Sequence, residues 1–214
     1  MYRIPEDLAE WAQQRIEGFA VEGFVWGSGP AHPRIMLVGE APGENELVTG
    51  IPFTGRAGVE LMASLESAGL TRDEVYITSA VRSRPYRWGE KTNRDGSKTR
   101  RTYNRAPVMQ EIIAHAPVLD REIKDLKPPL IVTLGNVGLR RLVGKEFKVT
   151  ECHGRLLETP VLKWDEAQGD FIFTEERYKI FPTFHPASVF YNPKTRAWTA
   201  EDWKRIGELL ELGE

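Results

Sequence analysis

Cysteine is almost absent from this sequence: Cys152 is the only one in 214 residues. One thiol cannot close an internal disulfide, and one thiolate cannot hold an iron–sulfur cluster or a cysteine-rich zinc site. Long apolar runs are absent too. No stretch approaches the roughly 18 apolar residues of a membrane span, so no transmembrane helix is expected. The opening MYRIPEDLAEWAQQR is amphipathic and too acidic for a secretory signal. A reducing cytoplasm is therefore the expected compartment. There is little net charge, −2 overall, which taken whole speaks against a nucleic-acid partner. With 41% apolar and 28% charged residues the chain is not disordered. Its length fits one domain, residues 1–214, with its own core. No repeat or low-complexity segment is present.

The charge is unevenly placed. Between Arg82 and Arg105 there are nine basic residues and two acids, a local +7 against −9 for the remainder. Local clusters govern phosphate binding more than the total does. The bland alternative is a solvated loop kept soluble by its charges.

Apolar patterning predicts alternating strands and helices. Helices are expected over Asp7–Phe19, Ala57–Ala68, Pro107–Leu126 and Ala200–Leu212, with a short one after Gly135. Strands are expected at Arg34–Val38, Val75–Thr78 and Leu130–Leu134, then near Arg155–Thr159 and Tyr178–Pro182. Arg82–Arg105 reads as a long irregular segment with a turn at Asp95-Gly96. The alternation implies an α/β fold: a three-layer α/β/α sandwich around a mainly parallel sheet, expected to have four strands. Sites in such folds form at the carboxyl ends of the strands. Glu40, Ser79, Gly135 and His185 each follow a strand, so they should meet at one rim.

Three segments carry chemistry. Gly39–Glu46 holds three carboxylates within a rigid Gly/Pro turn; alone it could be a polar loop. Its glycine spacing is not that of a phosphate-cradling loop, and its acids are not spaced as an EF-hand. Phe53, between Pro52 and Thr54-Gly55, is either a stacking platform or a buried anchor for its loop. His185, between a strand and Pro186, is fixed in direction and could donate to charge developing on a leaving group, although a lone histidine is more often structural.

The order GEAPG (39–43), PFTGRAG (52–58), a strand ending ITS (77–79), LG (134–135) and FHPAS (184–188) resembles the uracil-DNA glycosylase superfamily, most closely its iron–sulfur branch, family four. The resemblance covers about Trp26 to Asn192. It implies an enzyme of base-excision repair that flips a deaminated base, uracil first, out of DNA and hydrolyses its N-glycosidic bond. It assigns Phe53 as the floor under the base and the Ala41 backbone and Ser79 as base contacts. His185 becomes the donor to uracil O2. Glu40 or Glu46 becomes the carboxylate at the sugar, and which of them acts stays open. Ser188 and the following Val189–Phe190 fall where the family inserts an apolar wedge into the duplex, so Ser188 and Phe190 become DNA contacts, with Phe190 the wedge. Arg56, Arg84, Arg100 and Arg101 become DNA contacts, and the enzyme is expected to be a monomer.

Two departures stand out. Gln13, Ile16, Ser83 and His115 align with the branch's four cluster cysteines, so no iron–sulfur cluster, no metal and no other cofactor is expected. Ser79 replaces the asparagine that reads the uracil edge, which leaves hypoxanthine or xanthine as possible substrates. A branch that crosslinks to uracil carries a histidine in a basic insertion; Trp88–Tyr103 has none, and covalent capture is not expected. Two further readings stay open. One is a non-catalytic binder of damaged or single-stranded DNA. The other is an enzyme on free nucleosides, which would leave the basic segment without a purpose.

Overall fold

The computed structural model describes residues 1–212. The elements in chain order are α1 (Glu6–Arg15), β1 (Val21–Glu22), β2 (Ile35–Gly39), α2 (Glu44–Thr49), α3 (Arg56–Ser67), β3 (Val75–Ser79), β4 (Arg84–Thr92) and β5 (Lys98–Asn104). There follow α4 (Met109–Leu126), β6 (Ile131–Leu134), α5 (Asn136–Val143), α6 (Val149–Cys152), β7 (Leu157–Asp165), β8 (Asp170–Thr183) and α7 (Lys194–Leu212).

The central sheet has the order β3-β2-β6-β8-β7. Strands β3, β2, β6 and β8 run parallel, and β7 joins the edge antiparallel to β8. The sheet therefore has five strands, not four. All five strand segments were expected; the fifth member is β7, an antiparallel edge strand that continues well past Thr159 into a long hairpin with β8 whose outer half is half-buried to exposed.

Strand β2 is apolar throughout because both of its faces are covered. Ile35 and Leu37 pack with Leu61 and Leu65 of α3 and Trp203 and Ile206 of α7. Met36 and Val38 pack on the opposite side with Leu119 and Ile123 of α4 and Leu139 and Leu142 of α5. This two-sided burial makes the three layers. A third cluster seats α1 on α4 through Ala9, Ala12 and Val118.

Arg82–Arg105 is not irregular. It forms the hairpin β4–β5, extended by β1 into a small second sheet. The expected turn is present, with Gly96 in the left-handed region at φ 81°. Strand periodicity was masked there because both faces of the hairpin tip are polar and exposed. No helix among the described residues is long and apolar enough to cross a membrane.

The positions aligned with cluster cysteines do not fit an iron–sulfur cluster. Ser83 and His115 are fully buried and bonded to each other, Oγ to Nε2, at 3.3 Å. His115 Nδ1 lies 2.9 Å from the Glu111 carbonyl, and Phe24 stacks on the ring. Ile16 is buried, and the Gln13 side chain donates to the Ala9 carbonyl. No group of three or more metal-ligating side chains occurs among the described residues. Ser83, His115 and Phe24 form a hydrogen-bonded, aromatic-capped plug.

Candidate active site

The carboxyl ends of β2, β3 and β8 open into a cleft of about 620 Å³. Glu40, Ala41, Phe53, Ser79 and His185 all line it, together with Arg56 and Phe190. Backbone bonds lock the rim: Ala80 N–H donates to the Gly39 carbonyl and Val81 N–H to that of Glu40, at 3.0 and 3.1 Å. Below, the buried Glu122 accepts from Tyr76 at 2.8 Å and Thr78 at 2.7 Å and pairs with the buried Arg82. This fixes the exit of β3, the segment that carries Ser79.

The two candidate carboxylates differ in what holds them. Glu46 is saturated by backbone donors. One oxygen accepts from Thr54 and Gly55 N–H at 2.9 and 3.1 Å, and the other from Gly43 N–H at 3.0 Å. It clamps the GEAPG turn to the Phe53 loop. Glu40 has no side-chain hydrogen-bond partner among the described residues. Burial pushes its carboxyl above the usual range.

Phe53 holds a left-handed backbone at φ 57°, a costly conformation for this residue. Close packing keeps it there. A Cβ on Gly58 would lie 1.8 Å from the Phe53 carbonyl oxygen, and one on Gly39 3.2 Å from its ring. The ring sits between Gly39 and His185, whose centroid is 5.8 Å away.

His185 begins the short helical turn Pro186–Phe190. The Ala187 N–H donates to its Nδ1 at 3.2 Å. Nδ1 is therefore an acceptor, and the proton of the neutral ring is carried on Nε2. Burial pushes the imidazole down to about 4, partly opposed by the nearby Glu46. One edge stays open to the cleft, so the ring is a neutral donor there at physiological pH.

Ser79 donates its hydroxyl to the Val81 carbonyl at 2.7 Å. That proton is spent, and the oxygen can only accept from a ligand. Ser188 does not line the cleft; its hydroxyl turns to Thr195 at 3.1 Å. Phe190 stands at the mouth under the Arg56 guanidinium, 4.3 Å from its ring centre.

Of the arginines expected to touch DNA, Arg84 is a correction. It is 2% exposed, pairs with Glu22 and donates to Asn104 and Thr102. It braces the small sheet and is closed to a phosphate. Arg100 is exposed on the hairpin, and Arg101 is half-exposed and paired with Glu44 at the cleft mouth at 3.0 Å. Sequence reasoning missed Asn104, Arg105 and Tyr191, which also line the cleft. Tyr191 is 87% exposed beside Phe190, and an aromatic pair next to FHPAS was the available signal.

Comparison with known proteins agrees with this geometry. The family profile for the uracil DNA glycosylase superfamily matches residues 26–207. A type-4 uracil-DNA glycosylase of Sulfurisphaera tokodaii is 37% identical over 212 residues, covering 97% of this chain and 83% of the relative. The type-4 enzyme of Saccharolobus solfataricus is 36% identical, covering 86% and 74%. That of Archaeoglobus fulgidus is 32% identical, covering 87% and 81%.

Proposed function

Because the chain belongs to the uracil-DNA glycosylase superfamily, we propose that it hydrolyses the N-glycosidic bond of uracil in DNA, using Glu40 and His185 with no metal. The observation that carries this reading is the meeting of Glu40, Phe53, Ser79 and His185 in one cleft.

The chemistry follows from the geometry. A base can reach the cleft only when turned out of the stack, and the Phe53 ring supplies a face to replace the lost stacking. Backbone groups at Ala41 hold the base. As the bond from C1′ to the base breaks, the electron pair leaves with uracil and charge collects on O2. The neutral His185 Nε2–H donates to that oxygen and lowers the basicity of the leaving group. The sugar becomes cationic, like an oxocarbenium ion, and the Glu40 carboxylate stabilises it and orients the incoming water. Glu46, held by three backbone donors, keeps the loop in place. Phe190 and Tyr191 fill the gap left in the duplex. The exposed arginines of the hairpin, with Arg56, draw the phosphates. All of these groups lie within one chain, consistent with a monomer.

The committed hydroxyl of Ser79 favours a second substrate. It reads a ring N–H, which uracil N3 and the N1 of hypoxanthine and xanthine share, and it makes no contact that demands a pyrimidine.

The test is release of free base from oligonucleotides bearing uracil, hypoxanthine or xanthine. Uracil release, cut on the order of 10²–10³-fold by His185→Ala, is expected. Tight DNA binding with no abasic product from any of the three would instead identify a non-catalytic binder.

A further inference from the structure

The hairpin β4–β5 is more than a patch of positive charge. Its register pairs Tyr86 with Asn104, Trp88 with Thr102 and Glu90 with Arg100. Residues opposite each other share a face, so Tyr86, Trp88 and Arg100 lie on one side. Trp88 is 53% exposed, while Trp203 in the core is 1% exposed. Tyr86 meets it edge-on at 6.1 Å, holding the indole upright. The Arg100 guanidinium lies over the indole at 4.5 Å. Around them Trp88, Gly89, Glu90, Lys98, Thr99 and Arg100 line a shallow depression of about 310 Å³.

The other side of the hairpin is less accessible. Tyr103 lies across Gly89, where a Cβ would come within 2.9 Å of its ring, and is half-buried there, with Arg87 and Arg101 beside it. Trp88 is the more exposed aromatic of the hairpin, and the Arg100 guanidinium over it can move aside or sandwich a stacked base.

Position decides what that ligand is. Asn104, at the root of β5, lines the cleft. Thr102, the partner of Trp88, is two residues further out, about 7 Å at strand spacing. Stacked nucleotides rise about 3.4 Å along a strand, so Trp88 stands about two stacked nucleotides beyond the edge of the cleft. Lys91, Arg94 and Arg100 add positive charge on the outer half of the hairpin. An upright indole beside the Arg100 guanidinium suits the π-face of an unpaired base next to its phosphate. Paired bases inside a duplex present no such face.

We propose that Tyr86, Trp88 and Arg100 form a stacking platform for unpaired bases flanking the target nucleotide, and that the enzyme therefore prefers single-stranded DNA. The preference rests on the glycosylase reading; the platform itself does not.

The test uses uracil-free oligothymidylate and a uracil-free duplex of equal length, with the intact protein. Oligothymidylate should quench the tryptophan fluorescence of the wild type more than that of Trp88→Phe. Trp88→Ala should weaken single-strand binding by about tenfold, the scale of one lost base stack, and duplex binding little. Trp88→Phe should retain most of the affinity, which separates lost stacking from a damaged hairpin. The loss should persist at high salt, where phosphate contacts fade. On uracil-bearing strands, the wild type should act faster on single strands, and Trp88→Ala should lose that advantage. Equal binding by Trp88→Ala and wild type, or a wild type that prefers duplex, would overturn the proposal. Quenching without release of uracil would instead leave the platform standing and remove the glycosylase reading.

Discussion

Single residues carry opposite demands at this site. In the proposed reaction Glu40 must be ionised to face a cationic sugar, yet its half-buried carboxyl has no hydrogen-bond partner among the described residues and its pKa is raised. Above that pKa the native state holds a charge that water would solvate better. Glu40→Gln should therefore stabilise the fold at neutral pH, read as a higher Tm than the wild type's. It should also cut base release on the order of 10²-fold or more. In the wild type, activity should fall as pH drops through the raised Glu40 pKa, and this acid limb should vanish in the residual activity of Glu40→Gln. His185 cannot supply that limb unless pH approaches 4, where its ring first takes a proton. A limb unchanged in the variant would assign it elsewhere. Ser79 makes a second residue-scale prediction. Its proton goes to Val81, so Ser79→Asn adds an amide with both donor and acceptor. The variant should favour uracil over hypoxanthine by a further tenfold or so, the worth of about one or two hydrogen bonds. Competition between the two bases in one reaction measures this directly.

Elements bring these residues together, and their legibility in the sequence followed their burial. Strand β2 was legible because both faces are covered and its apolar run is continuous. The positions of Glu40, Ser79 and His185 after their strands were legible for the same reason. The hairpin β4–β5 was not, since beyond Trp88 its strands are exposed and polar on both faces and its three aromatics, Tyr86, Trp88 and Tyr103, make no buried stripe. Helix α2 was missed because it has no buried residue and is closed by the Glu46 clamp on the Gly43 N–H. No sequence pattern distinguishes a carboxylate that caps a backbone from one that faces a ligand, so Glu40 and Glu46 looked alike. Likewise, Arg84 looked like its neighbours until its pairing with Glu22 was visible. The hairpin as a unit should supply much of the salt dependence of DNA binding. Changing Arg87, Lys91 and Arg94 together to alanine should reduce the slope of log affinity against log salt by about two to three. A slope equal to the wild type's would place the phosphate contacts on another surface.

Across the whole molecule, buried polar groups hold elements together within the core. The packing of α1, α4 and the start of β4 depends on the buried Ser83–His115 bond and the Phe24 stack. With a neutral ring, Nδ1–H donates to the Glu111 carbonyl and Nε2 accepts from the Ser83 hydroxyl. Burial pushes His115 down to about 4, from an ordinary value near 6.5. Below pH 6.5 the unfolded chain takes up a proton that the native state refuses. Stability should therefore fall as pH drops from about 6.5 towards 4, at up to ~1.4 kcal/mol per pH unit for this one group. His185 acts in the same direction but remains partly open to the cleft, whereas His115 has no exposed surface. The raised carboxyls of Asp120 and Asp202 act oppositely and are present in any variant at position 115. Their effect therefore cancels in a comparison. His115→Gln keeps a hydrogen-bonding side chain but cannot titrate. It should be less stable than the wild type at pH 7.5, with the gap narrowing by about one proton's slope as pH falls below 6.5. Denaturant unfolding at a series of pH values measures this gap. A constant gap would mean that His115 takes up its proton as readily in the fold as in the unfolded chain, and that the plug does not exclude charge.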